Sequence, residues 1–170
     1  MTIRMATVDD VEQIAAVHVQ SWQGAYRGLL PDDFLANLSV ERRIEQWQRV
    51  LSNPANNVPV YEDEGQVVGF VSYGRTRDED LDQDKTGEIY AIYLLPDRWG
   101  KGFGAALMKE SLARLEKQGY QAVSLWALTG NERAIRFYEQ FGFKPDGTTK
   151  VDSRPGGLEL HEVRYVKNVG

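Results

Sequence analysis

A chain of 170 residues has the length of one domain and can bury most of the surface that its unfolded form exposes. It holds no cysteine, which excludes a disulfide framework, a thiolate metal site and a cysteine nucleophile. Its 25 acidic against 20 basic residues, a net charge of −5, argue against nucleic-acid phosphates as the main partner and lean toward a cationic or amine-bearing one. No apolar run approaches the roughly 18 residues of a membrane span, and the first residues lack a basic-then-apolar leader, so a cytoplasmic setting away from membranes is expected.

Residues 2–6 alternate and read as a first strand. Thr7 followed by Asp10 is a capping-box-like helix start, with Asp in place of the usual Glu. Val11, Ile14, Ala15, His18, Trp22 and Tyr26 then share a helical face, and Gly28 is expected to stop that helix. Leu29-Leu30-Pro31 breaks the chain, Asp32-Asp33 opens a second helical stretch, and Ser39 caps a third whose buried side carries Ile44, Trp47, Val50 and Leu51. After a polar loop, residues 58–62 and Gln66–Arg75 flank the turn Asp63-Glu64-Gly65 as a β-hairpin. Residues 78–84 are acidic and unpatterned, either a solvated turn or a rim that attracts a cationic substrate.

Residues 88–95 read as the central strand. From Phe103, positions 107, 111 (a serine), 112 and 115 fit a helix ended by Gly119. Ala122–Leu128 is a buried strand, and Asn131 caps a short helix with Ala134, Phe137, Tyr138 and Phe141 inward, terminated by Gly142. Phe143-Lys144-Pro145 starts a strand, 151–157 reads as loop, and 160–166 alternates as a last strand. The order β–α–α–β–β–β–α–β–α–β–β implies one α/β (α+β) domain over 1–170, with a mixed sheet and helices on both faces.

The central strand runs into Pro96 and then into glycines at 100, 102 and 104, directly before a helix. Alternate glycines leave consecutive N–H groups bare beside the positive end of the helix dipole, which makes a phosphate cradle. Gly100-x-Gly102-x-x-Ala105 satisfies a degenerate dinucleotide fingerprint, but no acid stands near position 125 to hold a ribose. A Walker A loop fails because Gly102, rather than Ser or Thr, follows Lys101. A tight turn with no ligand would not require three glycines in five positions, given their entropy cost.

Pro96 to Leu107, with the upstream strand Glu88-Ile-Tyr-Ala-Ile-Tyr-Leu-Leu, resembles the acyl-CoA signature of the GNAT superfamily of N-acetyltransferases. Asn131-Glu-Arg-Ala-Ile-Arg-Phe-Tyr-Glu-Gln-Phe-Gly-Phe143 resembles the superfamily's next motif, at the family's spacing, and the element order matches along nearly the whole chain. The usual family pattern is Gln or Arg, two residues, Gly, one residue, then Gly or Ala; here Trp99 holds the Gln/Arg position, with Arg98 one place early.

This resemblance implies a mostly antiparallel sheet splayed between its fourth and fifth strands, and acetyl-CoA as cosubstrate without a metal. Its pyrophosphate would lie on the amides of Gly100, Lys101, Gly102, Phe103, Gly104 and Ala105, and its pantetheine along Ile92, Tyr93 and Leu94. Asn131 would touch the cofactor while also capping its helix. Tyr138 matches the tyrosine that protonates the leaving thiolate, the Leu94 N–H would hold the oxyanion, and Glu88 is the candidate base, directly or through water. Trp22 and Tyr26 would line the acceptor side or simply pack the first helix onto the sheet; Trp126 stands where other members place an acid, and is a further acceptor-side candidate. His18 and His161 read as structural, and two distant histidines form no metal cluster. Ser72 misses the Gly-x-Ser-x-Gly elbow, so direct transfer to an amine in a ternary complex is favoured over a covalent intermediate. The alternative from another class is a CoA-binding module without catalysis, against which Tyr138 and Glu88 speak. Many similar proteins are homodimers.

Overall fold

The computed structural model describes residues 2–170. It runs β1 (Thr2–Met5), a 3₁₀ turn (Val8–Asp10), α1 (Val11–Ala25), α2 (Asp32–Ala36), α3 (Val40–Ser52), β2 (Pro59–Asp63), β3 (Gln66–Arg75) and β4 (Thr86–Leu94). A second 3₁₀ turn (Pro96–Arg98) follows, then α4 (Phe103–Lys117), β5 (Ala122–Leu128), α5 (Glu132–Gln140), β6 (Lys144–Arg154) and β7 (Leu158–Asn168). The strands form one mixed, mostly antiparallel sheet in the order β1-β2-β3-β4-β5-β7-β6. None of the described helices is long and apolar enough to cross a membrane. Two compact units can be distinguished, one comprising the chain through Gly74 with Ile89–Arg114, the other Arg75–Glu88 with Leu115–Gly170.

In the first unit, β1, β2 and β3 are antiparallel neighbours. Glu64 and Gly65 both take positive φ, +52° and +78°, the pair that a tight hairpin with native twist requires. On one face of this sheet, α1 buries Ile14, Ala15 and Val17 completely or nearly so. His18 is buried with them, and its Nδ1 accepts the Trp47 indole N–H of α3 at 3.1 Å, so both polar atoms are satisfied. On the other face the Phe103 ring of α4 stacks on Tyr61 with centroids 4.5 Å apart. Gly69 is required there, because a Cβ would run into the Leu94 side chain and lie 3.0 Å from the Tyr93 carbonyl.

Helix α1 ends at Ala25, before the Gly28 stop that the sequence suggests. The N–H groups of Leu29 and Leu30 both bond back to the Tyr26 carbonyl, so a separate turn with Gly28 at φ +83° follows the helix instead of closing it.

In the second unit, β7 pairs antiparallel with both β5 and β6. The β6–β7 ladder continues to Arg154↔Leu158, so the loop expected over 151–157 shrinks to three residues with Gly156 and Gly157 at positive φ. Val151, Asp152, Ser153 and Arg154 lack apolar alternation because β6 is an edge strand, and only its pairing with β7 makes it a strand. Asn131 caps α5, its side chain accepting the Ala134 N–H at 3.5 Å, and Gly142 at φ +91° follows the helix end.

The Thr7–Asp10 capping box forms, and it carries more than a cap. The Asp10 carboxylate accepts Thr7 N–H at 2.8 Å and both terminal nitrogens of Arg4, at 2.8 and 2.9 Å. The bonds from Arg4 hold the Asp10 carboxyl below the usual carboxylate range, against the opposing effect of burial. Its stabilisation is therefore complete above the unfolded pKa and lost as pH falls through the folded one. Asp10→Asn is expected to cost about 1–2 kcal/mol at neutral pH. In urea denaturation, the gap to the unmodified protein should close as the pH falls below the ordinary carboxylate range and through the lowered Asp10 value.

Candidate functional site

Just past β4, the Leu95 N–H bonds the Val68 carbonyl of β3 at 2.9 Å. Past it the chain turns through Pro96–Arg98, where Arg98 lies 3.5 Å from Asp63 and 3.0 Å from Asp97. Trp99 faces α1: a Cβ on Gly24 would lie 2.7 Å from the Pro96 ring and 3.2 Å from the indole. The side chain in the usual Gln/Arg position is thus a packing residue here.

Gly100 and Gly102 follow at φ +74° and +86°, with no atom within 4 Å of where a Cβ would stand on either. The first bond into α4 is Ala106 N–H to the Gly102 carbonyl, at 3.1 Å. Among the described residues, none of the six amides from Gly100 to Ala105 donates to another group of the chain. Three of them open a 15-residue helix, whose dipole adds positive potential at that point. Lys101 is exposed beside them, and the Phe103 side chain is tied to Tyr61 while its amide stays unbonded.

Upstream on β4, Ile92, Tyr93 and Leu94 are half-buried. The Tyr93 ring stacks on His18 at 5.1 Å, and Leu94 covers Gly69, so the two side chains leave opposite faces of the strand. Trp22 is 7% exposed, with Tyr26 edge-on at 5.0 Å and the Arg43 guanidinium 5.5 Å from its ring centre. Trp22 therefore packs α1 within its own unit.

In the second unit, Tyr138 of α5 is half-buried between Phe137 and Phe143, at centroid distances of 5.8 and 6.3 Å. Glu88 is 1% exposed. Its Oε1 accepts Arg77 N–H at 2.9 Å and the Thr76 hydroxyl at 3.3 Å, and its Oε2 accepts Arg77 Nη2 at 2.7 Å. Three of roughly four lone-pair positions are thus engaged, and Glu88 anchors the segment after β3.

That segment is held again by Arg164 of β7, whose side chain is 4% exposed. Its Nε meets Asp146 at 2.7 Å, Nη1 meets Asp78 at 3.3 Å and Asp80 at 2.7 Å, and Nη2 meets Asp80 at 2.7 Å and Thr148 at 3.1 Å. All five guanidinium N–H groups are used. The bonds to Asp80 are the chief cause of the raised Arg164 pKa, and they hold Asp80 below the usual carboxylate range. Asp78 also accepts the Trp126 indole N–H at 3.0 Å, and Lys150 Nζ lies 4.2 Å from the Trp126 ring centre. The acidic loop is thus a fastening, and the Trp126 face already carries a cation.

Sequence reasoning passed over Arg164, Lys150 and Glu162. The available signal was two charges at alternate positions, 162 and 164, on the same side of an otherwise apolar strand.

Residues 20–143 match the family described as Acetyltransferase (GNAT) family. The uncharacterised N-acetyltransferase YuaI of Bacillus subtilis (strain 168) is 34% identical over 164 residues, spanning 96% of this chain and 90% of that one. Among solved structures, the PaiA N-acetyltransferase of Thermoplasma acidophilum, in complex with coenzyme A, gives a TM-score of 0.76 at 20% identity over 99% of both chains. The structure of yncA from Salmonella typhimurium, with its cofactor acetyl-CoA, gives 0.73 at 20% identity over 100% and 94%. At such identities these two likenesses concern the fold.

Replacing Arg164 by Met removes one buried cation from among three carboxylates. The expected loss is about 2–4 kcal/mol, measured by chemical denaturation at neutral pH, with partial recovery in acid as the carboxylates protonate.

Proposed function

Because the chain belongs to the GNAT family of acetyltransferases, we propose that it moves the acetyl group of acetyl-CoA directly to a primary amine in a ternary complex. The amine is borne by a small molecule, an amino acid derivative or a protein N-terminus. The observation that carries this reading is the run of six amides from Gly100 to Ala105, at the mouth of α4, that have no partner among the described residues. Unpaired N–H groups are costly unless water or an anion meets them, and a pyrophosphate fits such a row. The two structural relatives solved with coenzyme A or acetyl-CoA support the donor. Trp99 packs against α1, so recognition of the pyrophosphate rests on the backbone.

Chemically, an alkyl ammonium of pKa roughly 10 must lose a proton before it can attack a thioester. Glu88 receives that proton through water, on the lone pair that its three hydrogen bonds leave open. The backbone N–H of Leu94 holds the oxyanion of the tetrahedral adduct, while Ile92 and Tyr93 align the pantetheine. Tyr138 returns a proton to the departing thiolate, whose parent pKa is roughly 8.5. Asn131 contributes to donor binding from the N-terminus of α5, beyond its cap.

Calorimetric titration with acetyl-CoA tests the donor. The folded protein should bind it, and Gly102→Glu, which puts a strained Cβ and a negative charge into the cradle, should abolish binding. Folded protein that takes up no acetyl-CoA would overturn the reading. Tyr138→Phe should lower turnover by roughly 10²–10⁴ with acetyl-CoA affinity nearly unchanged. An unchanged rate would remove Tyr138 from the mechanism.

A further inference from the structure

Lys150 and Glu162 stand directly opposite each other in the β6–β7 ladder. Opposite charges in that relation ordinarily pair across the strands. Here they do not: among the described residues, neither side chain forms an ion pair or hydrogen bond. The Lys150 ammonium instead crosses β7 to lie 4.2 Å from the ring centre of Trp126 on β5. Trp126 is the cross-strand partner of Arg164, two residues from Glu162. Trp126, Glu162, Arg164 and Lys150 therefore share one side of the sheet.

The other charges around Glu162 are committed. Arg77 holds Glu88 at 2.7 Å, Arg154 holds Asp152 at 3.0 Å, and Arg164 spends its five N–H groups on Asp78, Asp80, Asp146 and Thr148. What remains is one half-buried carboxylate and one ammonium over an indole ring, which attract each other without forming an ion pair or a hydrogen bond. Burial pushes the Glu162 pKa up, as does Asp152, while Lys150, Arg154 and Arg77 oppose the shift. A carboxylate kept in that state gains more from a direct cationic partner than an exposed one does. Arg77, which bonds Glu88 at 2.7 Å, also acts on Glu162 through its charge.

Resting on the acetyltransferase reading, we propose that this face of β5, β7 and β6 is the acceptor subsite. The acceptor is an amine that carries a carboxylate: its ammonium is taken by Glu162 and its carboxylate by Lys150. An amine without the anionic group would satisfy Glu162 and leave Lys150 on the indole. A ligand with both groups fills both vacancies at once, which the fixed separation of two strand positions makes selective.

The test uses the full chain, with acetyl-CoA binding first measured by calorimetry. Release of the CoA thiol is then followed with free α-amino acids, β-alanine and γ-aminobutyrate, each against its carboxamide. At least one carboxylate-bearing amine should be used with kcat/KM about tenfold or more above its amide. Lys150→Met should erase that preference, and Lys150→Arg should keep it. Glu162→Gln should raise KM for acid and amide alike by about tenfold, with KM for acetyl-CoA unchanged and the circular-dichroism spectrum retained. Equal use of acid and amide overturns the acceptor assignment and leaves the acetyltransferase reading standing. So does the absence of turnover with every carboxylate-bearing amine in protein that binds acetyl-CoA. Failure to bind acetyl-CoA overturns both.

Discussion

Six backbone amides in a row, Gly100 to Ala105, lack a partner within the described chain, and much else in the first unit serves to keep them so. Gly100, Lys101 and Gly102 are exposed, while Phe103, Gly104 and Ala105 are buried or half-buried, where an N–H group is nearly always bonded. Gly100 and Gly102 take positive φ, where a Cβ-bearing residue would be strained. The Phe103–Tyr61 stack and the packing of Pro96 and Trp99 on Gly24 fix both ends of the loop. Trp99, in the position where the family usually has Gln or Arg, packs near Gly24 of α1.

The second unit solves a different problem. Its sheet has one side with Tyr165 near Glu139 of α5 and another lined by Trp126, Glu162, Arg164 and Lys150. A polar sheet face needs its charges balanced. Arg164 does most of this, drawing Asp78, Asp80 and Asp146 onto one guanidinium and thereby fastening the acidic segment after β3 to β6 and β7. Planar Arg suits the task, because five N–H groups in fixed directions serve several carboxylates where a lysine would be a point charge. Glu88 and Arg77 hold the same segment at its other end. Among the described residues, Lys150 and Glu162 on that face form no ion pair or hydrogen bond.

Much of the architecture was legible in the chain. Gln66–Arg75 and Ala122–Leu128 were readable to the residue, the one from its turn and alternation, the other as an apolar run between a glycine stop and a cap. Ser39 and Asn131 announced their helices because a cap is a bond between residues three apart. The misread places share a cause. Gly28 looked like a helix stop, yet competing bonds to the Tyr26 carbonyl ended α1 sooner. Residues 151–154 carried no alternation, since an edge strand takes its structure from its neighbour.

The candidate site divides the same way. By itself the sequence determined the glycine loop, the helix behind it and the caps, because φ preferences and short-range hydrogen bonds act within a few residues. Only the tertiary structure decided which charges meet. That Glu88 is buried on Arg77, that Arg164 gathers three aspartates, and that Lys150 passes Glu162 for Trp126 all depend on strand register and on loops brought from afar. A charge in a sequence has a sign but no neighbour. Its neighbours are set by how the strands pair, and a one-residue slip would send each of these side chains to the opposite face.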